Sequence, residues 1–402
     1  MIASSRFTSA VTLAAALLFV GVFAALHGGW YDDEEIVDIP VYETYGNAIE
    51  RGEIPYRDFR LEYPPAALPV FALPALLSER EDHAGFRRAF EWTMAACGVL
   101  ALLCAGLALA ALRASRARVV AALTAIAVFP LLLGSVVLTR FDLWPAAVVL
   151  AALAALLHER HRLGFATLGL AIAAKLFPAV LVPLALSLVW HRRGRREALV
   201  CLGILAGVVA LVFLPFVVLG PDGVAYSLGR QLGRPLQIES LGSAFFLAAH
   251  HVFGLGIEIR SGHGSQNLDG AGPAVVAALL TAVQLAVLVW IWLRRPRTGE
   301  ELVRWSAAAL VVFVALGKVL SPQFLIWLAP LVPLVAGRRG LRAAVLLAAA
   351  LVLTQLWFPT RYWELALEFD GVPSALVLVR DLVLVGVLIL LIRPGREQAR
   401  SR

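Results

Sequence analysis

Residues 38–65 read DIPVYETYGNAIERGEIPYRDFRLEYPP, with six carboxylates, three arginines, four tyrosines and four prolines. In a chain of 402 residues that is 60% hydrophobic and 16% charged, that much polarity after the first apolar run needs a reason. Beside a membrane such a segment is either a solvated linker or part of a site. Gly52, Pro55 and the pair Pro64-Pro65 punctuate it, since each proline fixes its own φ and restricts its predecessor. We read residues 38–65 as the catalytic segment of a first outer loop, 30–89, in a single polytopic domain spanning 1–402.

Composition sets the class around that segment. Mean hydropathy is +0.81, and apolar runs rich in Ala, Leu and Val recur from residue 11 to residue 392. This excludes a soluble globular protein and gives an all-α integral membrane protein. The short alternating segments of a membrane barrel do not occur. Cys97, Cys104 and Cys201 lie in apolar runs and read as small buried residues, not as a disulfide or metal framework. The formal charge of +7 does not point to nucleic acid, because the arginines sit in short loops between apolar runs. The first run, 11–26, has no small-residue cleavage site after it and reads as a retained span.

Charge then orders the spans. With residues 113–118, 158–162, 191–196, 294–304, 338–342, Arg6 and the tail from Arg393 in the cytosol, that side holds 21 of the 35 basic residues. The arrangement requires about twelve spans, at 11–29, 90–112, 119–137, 143–157, 164–175, 177–190, 198–219, 273–293, 302–318, 324–336, 341–358 and 374–392. Both termini are then cytosolic. Residues 66–77 and 243–255 do not fit as crossings and read as helices at the outer face. That face is the acidic one.

Asp38, about nine residues after the first span, is a carboxylate at the outer surface that can take a proton from an attacking alcohol. The ordinary alternative is a solvated acid after a helix. Asp58 and Glu62 are rival bases, and the acidic run 32–35 reads as solvated. Arg140, Lys175, Arg230, Arg234, Lys318 and Arg361 fall on the acidic side, against the topological trend. They either bind an anion such as a phosphate or pair locally, Arg140 with Asp142 and Arg234 with Glu239. Lys175 and Lys318 are the only lysines, each closing an apolar helix shortly before a proline. Tyr42, Tyr45, Tyr56, Tyr63 and Trp144 can stack on sugar rings or simply anchor the interface. Arg380-Asp381 reads as a pair close to the outer end of the last span. No metal spacing, P-loop or nucleophile elbow is present.

The segment DIPVY…GEIPYRDFRLEYPP, with RFDLWPA at 140–146, AAKLFPAVLVPLAL at 173–186, GRPLQIESL at 233–241, SPQFLIWLAPL at 321–331 and VRDLVL at 379–384, resembles glycosyltransferase family 87. These are bacterial membrane glycosyltransferases of the GT-C class, similar to polyprenyl-phosphate-mannose-dependent α-mannosyltransferases. The resemblance implies transfer of a sugar, mannose at family level, from a polyprenyl-phosphate donor. The acceptor is a lipid or glycan on the outer face of the cytoplasmic membrane, and the anomeric carbon inverts. Asp38 stands at the family's general-base position. Lys175, Arg140, Arg234 and Lys318 are the expected donor-phosphate ligands. Tyr42, Tyr56, Asp58, Glu62, Tyr63 and Glu239 are candidates for sugar or acceptor. A lipid phosphate carries less charge than a nucleotide diphosphate, so no metal cofactor is required. Two other readings compete: a flippase for a lipid-linked sugar, and a non-catalytic subunit of envelope assembly.

Overall fold

The computed structural model describes residues 2–28 and 36–393. The acidic run 32–35 and the tail beyond Arg393 lie outside these residues. Among the described residues the chain is helical, with one small hairpin. In order the first helices are α1 (Ser5–Ala25), α2 (Ile39–Glu50), α3 (Leu68–Leu77), α4 (His83–Ala111), α5 (Arg116–Leu133), α6 (Val136–Thr139), α7 (Leu143–Leu157) and α8 (His161–Ala174). Next are α9 (Val182–Leu219), α10 (Pro221–Leu232), α11 (Leu241–Phe253), the hairpin β1 (Glu258–Gly262) and β2 (Ser265–Asp269), α12 (Ala271–Trp292) and α13 (Gly299–Ala315). The chain closes with α14 (Leu325–Leu328), α15 (Gly337–Gln355), α16 (Tyr362–Ala366) and α17 (Gly371–Ile392).

Local chemistry explains where these helices begin. Ser4, Asp82, Ser115, Ser240 and Asp370 each accept a backbone N–H of the first turn that follows. Thr298 and Glu301 form a reciprocal capping box at α13. Gly194, at φ 82°, breaks α9 inside the basic stretch 191–196 that the sequence assigns to a loop between two spans.

Six helical segments among the described residues are at least 18 residues long and apolar enough to cross a membrane, with the two halves of α9 counted together. The protein is therefore a helical membrane protein. Shorter apolar helices occupy 65–77, 143–157, 241–253 and 322–334. Two of them coincide with the runs set aside at the sequence level as non-crossing.

Three features differ from the sequence reading. Residues 39–50, read as loop, form α2, which buries Ile39, Tyr42, Glu43, Tyr45, Gly46 and Ala48. The loop 256–272 contains the antiparallel hairpin, with Glu258 opposite Asp269. Arg380 and Asp381 fall at the tenth and eleventh of the 22 residues of α17, deeper than the outer end, and both are fully buried.

Close backbone approaches fix the first outer loop. A Cβ on Gly46 would overlap the Phe71 carbonyl, so α2 lies directly on α3. A Cβ on Gly223 would overlap the Tyr56 carbonyl, which seats the loop on the start of α10. Tyr42 packs among Phe71, Phe90 and Phe141, with ring centroids 4.7, 5.3 and 5.7 Å away.

Candidate active site

The segments that close on one another in this way surround a cavity of about 780 Å³. Asp38, Glu62, Tyr63, Arg140, Lys175, Arg230, Arg234, Glu239 and Lys318 all line it. They come from six places: the start of α2, the approach to α3, the turn between α6 and α7, the end of α8, the segment from late α10 to α11, and the stretch after α13. Helix ends place their polar groups here because the helix interiors are occupied by apolar packing.

Asp38 occupies the position before the first turn of α2, with Pro40 inside that turn. One of its oxygens is ion-paired with Arg140, and the other accepts from the Tyr42 hydroxyl at 3.2 Å. Arg140 is 4% exposed and also donates to the Ile36 carbonyl at 3.2 Å. Burial opposes its charge, but Asp38, which bonds it, and the nearby Tyr42 and Tyr63 phenol groups hold its pKa above the ordinary arginine value. Burial pushes the Tyr42 and Tyr63 phenols well above the usual tyrosine range, so both remain hydroxyl donors.

The local pairing expected for Arg140 is corrected by these contacts: its partner is Asp38, and Asp142 takes Lys175. Asp142 is fully buried. Its Oδ1 accepts from Lys175 Nζ at 2.6 Å and from Trp327 Nε1 at 2.6 Å. Lys175 Nζ also lies 4.5 Å from the Phe141 ring centroid and 5.1 Å from that of Trp327.

Across the cavity, Glu62 pairs with Arg230 at 2.6 Å. Glu239 is 1% exposed and accepts from Gln237. Burial raises its carboxyl to about 7, against the pull of Arg380 and Arg234. Arg380 Nη2 donates to the Glu239 backbone carbonyl at 2.7 Å, which ties this loop to α17.

Arg234 and Lys318 differ from the other cations. Among the described residues neither forms a salt bridge or a side-chain hydrogen bond, and Arg234 Nε is buried without a partner. The expected pairing of Arg234 with Glu239 is an electrostatic neighbourhood rather than an ion pair. The two cations are held in register, because the Gln237 amide donates to the Lys318 carbonyl at 3.0 Å. Both also line a second space of about 570 Å³ that runs beside Ala274, Ala277, Ala278 and Leu285 of α12. Thr281 borders both spaces.

Some expected residues are elsewhere. Tyr42, Tyr56 and Asp58 do not line the cavity. Tyr56, at φ 68°, donates its hydroxyl to the Tyr63 carbonyl at 2.6 Å. Asp58 accepts the Ile54 amide at 2.7 Å. Both shape the loop that presents Glu62 and Tyr63. Trp144 donates to the Ala66 carbonyl at 2.9 Å, outside the cavity.

The sequence model of glycosyltransferase family 87 matches residues 61–322 of the chain. The chain belongs to glycosyltransferase family 87. It is therefore a membrane glycosyltransferase, an enzyme that takes a sugar donor and an acceptor. The family match takes in Glu62, Arg140, Asp142, Lys175, Arg234, Glu239 and Lys318 and begins after Asp38. No curated protein matches the chain. Asp142 and Trp327 are the site residues that sequence reasoning missed. The available signal was that they lie in the motifs RFDLWPA and SPQFLIWLAPL alongside residues already singled out.

Proposed function

We propose that this family 87 enzyme transfers mannose from a polyprenyl-phosphate sugar to a lipid or glycan acceptor, on the outer face of the cytoplasmic membrane. The acceptor hydroxyl attacks the anomeric carbon as the bond from that carbon to the phosphate oxygen breaks. The configuration inverts, Asp38 takes the hydroxyl proton, and polyprenyl phosphate leaves. An ionised carboxylate is a weak base, and it serves here because the hydroxyl proton becomes acidic only as the new C–O bond forms.

The observation that carries this reading is the placement of Arg234 and Lys318. Two cations without side-chain partners among the described residues stand where a polar cavity meets an apolar groove along α12. A ligand with a sugar, a phosphate and a lipid tail in that order matches this sequence of environments. Stabilising the charge that develops on the leaving phosphate is the main catalytic contribution such cations make. Arg140 and Lys175, already paired with Asp38 and Asp142, support the site's geometry and add field rather than free donors. Glu62, Tyr63 and Glu239 line the cavity and are the candidates to meet sugar or acceptor hydroxyls.

The deciding experiment follows label from polyprenyl-phosphate [14C]mannose into product, in membranes carrying the wild type or Asp38→Asn. Transfer by the wild type alone supports donor class and base together. Transfer by neither variant, from this donor and from other polyprenyl-phosphate sugars, refutes the donor assignment.

A further inference from the structure

We infer that Asp142 is a positioning residue of the transfer site, which holds the Lys175 ammonium against the cavity wall by using one carboxylate oxygen for both Lys175 Nζ and Trp327 Nε1. The inference rests on the donor reading above for its kinetic part and on geometry alone for the rest.

Three segments distant in sequence meet at this oxygen. Asp142 stands at the start of α7, Lys175 just past the end of α8, and Trp327 in α14. Both hydrogen bonds measure 2.6 Å and both are buried. Among the described residues the second carboxylate oxygen is buried without a partner, so none of them offers Asp142 a competing hydrogen bond. The Trp327 ring is clamped, stacked on Phe177 at 4.0 Å and on Phe324 at 4.2 Å. Phe177 is two residues after Lys175, so the clamp and the lysine belong to one segment. A flexible lysine is thereby confined to one place: Asp142 binds its charge, and the rings of Phe141, Tyr63, Phe324 and Trp327 surround it.

The other charged neighbours do not replace Asp142. Asp38 acts on Lys175 at longer range and is committed to Arg140, which itself repels the ammonium. Without Asp142, Lys175 would be a buried cation with no bonded counter-charge. It would move toward Asp38 or lose its proton. Either outcome changes the field at the phosphate position without any change in a group that touches substrate.

The chain has only two lysines, so Lys175 can be followed by chemistry independent of turnover. Purified full-length protein in nanodiscs is treated with an amine-acylating reagent, and the labelling rates of Lys175 and Lys318 are read by mass spectrometry. The variants are Asp142→Asn, Trp327→Phe and wild type. We expect Lys175 to react at least about tenfold faster in Asp142→Asn, consistent with loss of a charge partner that shifts a neighbouring pKa by a unit or more, while Lys318 is unchanged. Trp327→Phe keeps one aromatic ring between Phe177 and Phe324, removes the N–H together with part of the bicycle, and gives a smaller acceleration. In the transfer assay the donor KM rises at least about 30-fold in Asp142→Asn, the lower end of what losing one partner of a buried charge pair costs, and kcat falls less. In a Lys175→Met background, Asp142→Asn adds less than about threefold, because the two residues act as a unit.

Unchanged Lys175 labelling in both variants would overturn the inference. So would a loss of transfer by Asp142→Asn that is just as large in the Lys175→Met background. If Asp142→Asn does not fold, Trp327→Phe decides: acceleration at Lys175 supports the inference and a wild-type rate refutes it. If labelling behaves as expected while the wild type transfers from no polyprenyl-phosphate sugar, the donor reading fails and the positioning role stands.

Discussion

Asparagine at position 38 removes two things at once, and the structure allows them to be separated. The carboxylate is the proposed proton acceptor, and losing a general base costs roughly 10²- to 10⁴-fold in rate. Among the described residues it is also the only charged partner bonded to Arg140, whose side chain is 5% exposed against 31% for Asp38. Breaking a fully buried pair by removing one partner costs about 3–5 kcal/mol. Because Asp38 is nearly a third exposed, and Arg140 keeps its bond to the Ile36 carbonyl, we discount this to about 2 kcal/mol. Asp38→Asn should therefore be inactive and melt a few degrees lower in detergent. Adding Arg140→Gln removes the stranded cation, so the double variant should regain most of the thermal stability and none of the transfer. Label transfer with a nanodisc-embedded protein, beside a thermal unfolding curve, reads both quantities. More than about a tenth of wild-type turnover by Asp38→Asn refutes the base assignment. Inactivity with wild-type stability would show instead that the Arg140 pair contributes little to the fold.

Three further outcomes follow from other parts of the structure. Lys318→Gln and Arg234→Gln should each raise the donor KM by about 10- to 100-fold, as expected for a charge-assisted hydrogen bond worth about 1.5–3 kcal/mol; a titration of lipid donor against initial rate checks this, and an unchanged KM in both removes the phosphate role. Glu239 has its carboxyl raised to about 7, so it is neutral below that pH and anionic above it, where it offsets Arg234. Donor affinity should fall as pH rises through 7 in the wild type and stay level in Glu239→Gln, measured as KM from pH 6 to 8. Gly223→Ala places a Cβ on the Tyr56 carbonyl. This contact is with backbone and cannot yield, so we expect a loss of about 1–3 kcal/mol in stability and lower turnover, seen by melting and by transfer.

The helical membrane class was legible because it rests on composition alone, and the charges of the loops marked the break at Gly194 in α9. The existence of α2 was less legible. Its apolar residues recur at helical spacing (Ile39, Tyr42, Tyr45, Gly46), but six carboxylates over residues 38–65 masked them as a polar loop. The cations at helix ends were singled out by their oddity, positive charge on the wrong side of the topological trend; Asp38 was singled out by its place shortly after the first span and at the family's base position. Their partners were not found, because partner choice depends on distances between segments that are far apart in sequence. Arg140 and Asp142, two residues apart, look like a local pair. In the fold they point to different neighbours, since Phe141 between them is buried in the aromatic cluster with Tyr42, Tyr63 and Phe71.

That crosswise pairing decides where the cavity is positive. Asp38 with Arg140, Glu62 with Arg230 and Asp142 with Lys175 are three near-neutral couples, each fixed by hydrogen bonds at 3.2 Å or less to neighbouring groups or within the pair. Neutral couples orient a substrate but attract an anion weakly, because each cation's field is cancelled within a few ångströms. The charge left over is that of Arg234 and Lys318, at the border with the α12 groove. The geometry thus distinguishes paired charges, suited to holding a base and sugar hydroxyls, from two free charges at the border with the α12 groove, suited to a phosphate. On this argument, moving charge away from that border should not conserve function. Lys318→Gln combined with Asp142→Asn, which frees Lys175 while it keeps its proton, restores the cavity's total charge. It should still leave the donor KM at least as high as Lys318→Gln alone, since Lys175 does not border the α12 groove. A KM that returns toward wild type in the double variant would show that total charge, and not its position, governs donor binding.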